Sequence, residues 1–376
     1  MADVFDGVFG QPRVREFLRA TIASGRVSHA YLLTGPAGSN KTSAAYAFAQ
    51  AIICASCGCG ECEDCQRAAR RKHPDIHFYS PEGAQGYLVE QVRDIVSDVT
   101  LAPIRAKAKV YIIDRADLLG TQAANAFLKT LEEPVEGVTF ILLGRTREGV
   151  LPTIVSRCQV VPFRHIPATE AAGILSQRVG VSAEKARIAI EACDGSITNA
   201  ISFAKSTERM AFRQRVIEVL AGLRLADERD VLEYAAELIE LSKAPLDNVR
   251  TEQSEELAES SDYLTKAALR QIELRHKRAL TMATRTSLRQ LTSIIRSWLR
   301  DVLMVAEGAT HLVVNTDALE AIEEAAAWCS PEGLMGALGE AYRTDEALSY
   351  NVSPETCLDT LLFSIREVLH GSGNTH

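Results

Sequence analysis

Several things are missing from this sequence, and each absence removes a class of function. No stretch of the 376 residues approaches the roughly 20 continuous apolar residues of a membrane span. The first ten residues, MADVFDGVFG, have neither the cationic start nor the apolar core of a secretory leader. The expectation is a cytoplasmic protein with no membrane partner. Positive charge is also in short supply: 41 Lys and Arg against 49 Asp and Glu leave a net charge of -8. That argues against a chain that wraps nucleic acid by bulk electrostatics, though a local basic face remains open. No internal repeat and no low-complexity tract is present. What remains is an ordinary globular composition, long enough for two or three domains with a large core.

Cysteine, by contrast, is plentiful. Five of the nine cysteines fall between Cys54 and Cys65, and in a reducing compartment such a cluster favours a metal over disulfides. The spacing is Cys54-x4-Cys59-x2-Cys62-x2-Cys65, with Cys57 inside the first gap. Four thiolates satisfy tetrahedral Zn²⁺, and the two C-x2-C steps supply the ligand spacing. Cys54 is the preferred fourth ligand because it closes a larger loop, and Cys57 is its competitor. A set of free or redox-active thiols is the alternative. No water-activating residue lies beside the cluster, so the metal would be structural. Cys158, Cys193, Cys329 and Cys357 are scattered and read as core packing.

The strand-like run His29–Thr34 is followed by Gly35-Pro-Ala-Gly-Ser-Asn-Lys-Thr42 and then a helix from Lys41 to about Ile53. That is the place for a phosphate-binding loop, in which backbone N–H groups and a helix N-terminus surround the anion. The pattern G-x-x-x-x-G-K-[ST] uses a lysine for charge and a hydroxyl for Mg²⁺. Here Gly35, Gly38, Lys41 and Thr42 are present, but Asn40 replaces the second glycine. Asn tolerates left-handed backbone angles better than other residues with a Cβ, while its side chain intrudes where backbone must approach phosphate. The ligand such a loop would take is ATP with Mg²⁺, and Asn40 weighs against it. Asp114, after the four apolar residues Val110–Ile113, stands where P-loop proteins aim a carboxylate at the metal. It could instead merely cap Arg115–Leu119. The acidic neighbour that polarises water is missing: Arg115 occupies that place, and a cation cannot act as a general base. Hydrolysis by this chain is not expected.

Strands at about His29–Thr34, Ile76–Tyr79, Lys109–Asp114, Val138–Leu143 and Gln159–Pro162 alternate with helices at about Gln11–Ser28, Lys41–Ile53, Gln66–Lys72, Tyr87–Thr100 and Thr121–Glu132. Alternation of this kind indicates an α/β fold with a parallel sheet covered on both faces. Beyond Pro167 the pattern is helical, with breaks expected at Cys193–Ser196, Ala244–Asn248, Gly308–Thr316 and Asn351–Pro354. Thr251–Asp262 reads as an exposed or partly mobile acidic helix. Lys266–Arg300 carries many Lys and Arg residues among apolar ones, a solvated helix face or a DNA contact. Ser156-Arg157-Cys158 has no local chemistry that marks it out.

Together these segments resemble the bacterial clamp-loader subunits of the AAA+ class, and among them most the delta-prime subunits of DNA polymerase III. The resemblance rests on Gly10-Gln11-Pro12, His29–Thr42, the cysteine insertion, His73-Pro74-Asp75, Ala123–Pro134 (AANAFLKTLEEP) and Leu151–Cys158 (LPTIVSRC). It is dense over about residues 1–165 and looser beyond. It implies an AAA+ P-loop domain over 1–165 with a zinc module at 54–65, a helical lid over 166–207, an all-helical collar over 208–370 and a tail at 371–376. It further implies a hetero-pentamer with gamma/tau and delta subunits, which loads a sliding clamp onto primer–template DNA through the complex. Arg157 would then be an arginine finger acting in trans on a neighbour's nucleotide, with Ser156 positioning it and Cys158 packed beneath. The gamma/tau motor subunits share these motifs but carry an intact loop, an acidic pair, a sensor threonine and a sensor arginine. The corresponding positions here are Asn40, Arg115, Gly144-Arg145 and Thr198, and the chain stops after the collar-like helices. The expectation is a stator of the delta-prime type. A gamma/tau-type motor is the nearest alternative, and an independent zinc-containing P-loop NTPase lies outside the family.

Overall fold

The computed structural model describes residues 3–83, 86–261, 266–349 and 352–370. It divides into two compact units, Met1–Ile174 with Gly195–Asn199, and Leu175–Asp194 with Ala200–His376.

The first unit is an α/β layer structure. Its elements in chain order are α1 (Pro12–Ala23), β1 (Ala30–Thr34), α2 (Lys41–Ile53), α3 (Glu63–Ala69), β2 (Ile76–Tyr79), α4 (Val89–Val99), β3 (Lys109–Ile113), α5 (Thr121–Glu132), β4 (Val138–Gly144), α6 (Pro152–Val155) and β5 (Gln159–Pro162). The strands form a five-stranded sheet in the order β2-β3-β4-β1-β5, parallel throughout. Strands β1, β3 and β4 are buried at every residue. Covered on both faces, they must be apolar on both, which is why they read as continuous runs.

Successive side chains then leave the sheet on opposite faces. Tyr31, Leu33, Ile112 and Leu143 pack with Leu18 of α1 and Phe48 of α2. Leu32, Tyr111, Phe140 and Leu142 pack with Ile95 of α4 and Phe127 of α5. Parallel strands bring all their carboxyl ends to one edge. Gly35, Asp114 and Arg145 follow β1, β3 and β4 there.

Two boundaries differ from expectation by several residues. The helix expected over Gln11–Ser28 is α1, which ends at Ala23 just before the left-handed Gly25. The helix expected over Gln66–Lys72 is α3, starting at Glu63, because the Cys62 sulfur accepts the Cys65 N–H in place of an oxygen cap. It ends before Arg71, whose backbone is left-handed.

After β5 no strand occurs among the described residues. The helices are α7 (Ala168–Val179), α8 (Ala183–Ala192), α9 (Ile197–Lys205), α10 (Thr207–Gly222), α11 (Glu228–Ser261), α12 (Lys266–Ala306), α13 (Leu319–Ala326), α14 (Pro331–Ser349) and α15 (Pro354–Leu369). Trp298, Leu361 and Ile365 are fully buried in the second unit. A buried Arg213 is held there by Asn315 and Asp317 at 2.7 Å each.

The break expected at Ala244–Asn248 is absent, because α11 runs through it. A proline inside a helix removes one hydrogen bond, but Ile239, Ser242 and Leu246 on either side of position 245 are buried, so packing carries the helix across. The breaks at Cys193–Ser196 and Gly308–Thr316 are where expected. Of the break at Asn351–Pro354, Asn351 lies outside the described residues; so does Asp262, at the end of the acidic stretch, and so does the tail 371–376. No helix among the described residues is long and apolar enough to cross a membrane.

Candidate functional site

The loop after β1 is built by close approach. Gly35 has φ +157°, and a Cβ there would sit 2.7 Å from the Phe163 carbonyl oxygen and 2.8 Å from its Cβ. The Gly35 N–H is shared between the carbonyls of Gly144 and Arg145, at 3.2 and 3.1 Å. Gly38 is left-handed at φ +72°. Gln11, almost fully buried, explains the Gly10-Gln11-Pro12 motif. Its amide nitrogen donates to the carbonyls of Ser39 (3.1 Å) and Arg164 (2.8 Å) and its oxygen accepts the Arg164 N–H. One side chain thus pins the loop to the segment after β5.

Asn40 takes the left-handed conformation a glycine would take, at φ 71° and ψ 20°. Its side chain is spoken for on both sides. Nδ2 donates to the Gly7 carbonyl at 2.9 Å, and Oδ1 accepts from Thr198 Oγ1 at 3.3 Å. Thr198 Oγ1 also lies 2.9 Å from Ser43 Oγ. The Lys41 ammonium donates to the carbonyls of Gly35 (2.6 Å) and Pro36 (2.7 Å) and to Ser39 Oγ (3.2 Å). An ammonium has three donors, and all three are used within the loop. Burial pulls the Lys41 pKa down to about 8, against the pull of Asp114 and Asp117 and with the help of Arg145. Thr42 follows in the first turn of α2, half-buried.

Across the strand ends, Asp114 is half-buried directly after β3. Its carbonyl accepts the Tyr87 hydroxyl at 2.5 Å, and its N–H donates to the Tyr79 carbonyl. The short 3-10 turn Ala116–Leu118 has Arg115, not Asp114, at its cap position. Arg115 is itself left-handed (φ 52°), and its Nε donates to Asp117 Oδ2 at 3.2 Å. The other Asp117 oxygen accepts the Arg145 N–H at 3.4 Å. The loop lysine therefore shares its surroundings with two carboxylates and a second cation. Asp117 escaped sequence reasoning, because only the turn after β3 turns it back toward the loop.

The cysteine cluster lies beyond the other end of α2. The sulfurs of Cys54, Cys59, Cys62 and Cys65 all lie within 4.8 Å of one another, with Cys54 at 3.7 Å from Cys59 and 3.8 Å from Cys62, and Cys59 at 4.0 Å from Cys65. A tetrahedron with metal–sulfur bonds of about 2.3 Å has edges of about 3.8 Å, so these four side chains fit a tetrahedral ion. Cys57 is exposed and left-handed, outside the group. Backbone N–H groups of Cys59, Cys62 and Cys65 point at the sulfurs of Cys54, Cys59 and Cys62 at 3.4–3.5 Å. Burial raises the Cys54 thiol, but N–H groups from Cys59, Gly58 and Ser56 outweigh it and bring it down to about 6. Burial pushes Cys65 up to about 12.

The His73-Pro74-Asp75 motif anchors this module. His73 Nδ1 accepts the Asp75 N–H at 3.1 Å, so Nε2 carries the proton toward Asp64, 3.4 Å away. The fully buried Asp75 carboxylate accepts the N–H groups of Ile104, Arg105 and Ala106 at 2.6–2.8 Å.

Arg157 follows α6 and is half-buried, at 32% side-chain exposure. Its Nη1 donates to the Thr153 carbonyl (2.9 Å) and to Ser156 Oγ (3.2 Å), and its Nη2 to the Glu132 carboxylate at the end of α5. Burial raises the Cys158 thiol to about 12. Glu132 was not singled out by the sequence; the only available signal is its place in the Ala123–Pro134 run.

Residues 10–167 match the family model described as "DNA polymerase III, delta subunit". Among similar proteins, DNA polymerase III subunit delta' of Bacillus subtilis is 31% identical over 56% of this chain and 64% of its own length. Subunit tau of the same organism is 35% identical over 53% of this chain and 36% of its own length. Subunit gamma/tau of Mycobacterium bovis is 35% identical over 46% of this chain and 31% of its own. The chain thus spans between about a third and two thirds of the length of these curated relatives. A DNA polymerase III gamma-subunit-related protein of Thermotoga maritima superposes with a TM-score of 0.44 at 18% identity, over 94% of this chain and 99% of that one. Over residues 10–167 the chain is thus similar to a DNA polymerase III delta-type domain, and the relatives it matches include subunits of that polymerase named delta', tau and gamma/tau.

Proposed function

We propose that this chain is a delta-prime-type stator of a DNA polymerase III clamp loader, an assembly subunit and not a motor. The observation that carries this reading is the state of the loop after β1. Lys41 spends its three donors on the loop's own atoms, and Asn40 ties the loop to Gly7 and Thr198. Arg115 stands beside Asp114 where an ATPase needs a carboxylate. The cradle persists as scaffold.

In this reading residues 1–165 form the AAA+ domain, 166–207 the lid and 208–370 the collar that joins gamma/tau and delta subunits in a cytoplasmic hetero-pentamer. Cys54, Cys59, Cys62 and Cys65 hold a structural Zn²⁺, which supplies folding energy and no chemistry. Arg157 reaches in trans toward the phosphates of a neighbour's ATP and stabilises the charge that develops there. The Ser156 hydroxyl, which accepts from Arg157 Nη1, orients it. The sliding clamp and primed DNA are met through the whole complex.

Two measurements test this. The isolated chain should turn over ATP at a negligible rate, and Arg157→Ala should lower DNA-stimulated ATPase of the reconstituted loader about 10³-fold. Turnover by the isolated chain at a motor's rate would sink the stator reading. A tau-type motor is the second reading, favoured by the 35% identity to subunit tau; the same turnover assay decides between them.

A further inference from the structure

We propose that Glu132 is a positioning residue that holds Arg157 against its own chain until phosphate on a neighbouring subunit displaces it. The proposal rests on the reading of Arg157 as a trans-acting arginine. Of the three groups that receive the guanidinium, the Thr153 carbonyl and the Ser156 hydroxyl belong to the same short segment as Arg157 and travel with it. Only the Glu132 carboxylate comes from another element. It is the last residue of α5, fixed by the buried Leu131 before it and by Pro134 just beyond.

The pair is open to competition. Its side chains are 32% and 48% exposed, so an anion approaching from outside can reach the guanidinium without unpacking the core. A phosphate carries more charge than a carboxylate and matches the guanidinium fork equally well. The neighbour's nucleotide therefore wins the arginine, but it must first take it from Glu132. This sets a toll on nucleotide binding at the interface and keeps Arg157 from binding stray anions before assembly. An exposed ion pair shifts such a competition by only about two- to five-fold.

The test uses the loader reconstituted with the ATP-hydrolysing subunits of the same organism, with KM for ATP and kcat measured separately. Glu132→Gln should lower KM about two- to five-fold and leave kcat unchanged, since it removes a competitor present only before binding. Glu132→Asp should stay near wild type. In an Arg157→Ala background, Glu132→Gln should change nothing, an outcome a merely structural role for Glu132 would not produce. A KM that is unchanged or raised in Glu132→Gln, where Arg157→Ala alone impairs the loader, overturns the holding role while the arginine's role stands. If Arg157→Ala has no effect, the arginine's role fails first and the holding role with it.

Discussion

Helix α2 carries a phosphate-type loop at one end and a four-cysteine cluster at the other, and the two ends have kept different things. The cysteine end holds four sulfurs at the spacing of a tetrahedral metal site. All four sulfurs come from residues 54–65, so turn geometry and backbone N–H groups of one short segment suffice to assemble them. The loop end, in the stator reading proposed above, keeps its shape without its chemistry. Its parts arrive from the ends of β1, β3 and β4 and from Thr198, and the stator reading takes Asn40, Arg115, Arg145 and Thr198 as departures from a motor's residues. A site assembled from distant segments can be dismantled one side chain at a time while each segment keeps its structural duties. Gly35, Gln11 and Lys41 show such duties here, in packing on Phe163, bonding to Arg164 and bonding within the loop.

The largest effect that would break this comparison is metal loss. Purified protein should hold one equivalent of Zn²⁺, and Cys54→Ser, Cys59→Ser or strong chelation should remove it with a loss of about 3 kcal/mol or more of stability. Cys57→Ser should keep the metal. Elemental analysis with thermal melts reads both, and metal retained in Cys54→Ser but lost in Cys57→Ser would overturn the four-sulfur assignment.

At the loop end, Gly35→Ala should cost about 2–4 kcal/mol, because its Cβ meets Phe163 backbone in a conformation L-residues avoid. An unchanged melting temperature would mean that the loop is no scaffold.

The smallest effect is the sharpest. Asn40→Gly keeps the left-handed backbone but loses the bonds to Gly7 and Thr198, which should cost about 1 kcal/mol. With the loop released, binding of an ATP analogue with Mg²⁺ should strengthen relative to wild type. If titration calorimetry found both quantities unmoved, the idea that Asn40 ties the loop down would have to go.

Much of the sheet was legible because buried strands must be apolar on both faces, and α5 was legible to both ends because Pro134 stops it. The start of α3 was not, since reading Cys62 as a cap requires knowing that its sulfur faces the Cys65 N–H. The continuity of α11 was not either, since a proline reads as a break until the buried residues around it are known. In the candidate sites, the cysteines and the left-handed Asn40 follow from residue type and spacing. The partners of that asparagine, of Lys41 and of Arg157 do not.

By itself, then, the sequence determined what depends on residue type and short range: the parallel α/β layer, the cysteine cluster, and the absence of an acidic partner beside Asp114. Tertiary structure alone decided where the polar groups spend their hydrogen bonds. Lys41 turns onto its own loop, Asn40 onto Gly7 and Thr198, and Arg157 onto Glu132. The physical reason is that a strand or a chelating turn is specified by neighbours in the chain. A charged side chain, by contrast, takes the best partner within a few ångströms, and which residues lie that close is settled only when the sheet has brought its strand ends together.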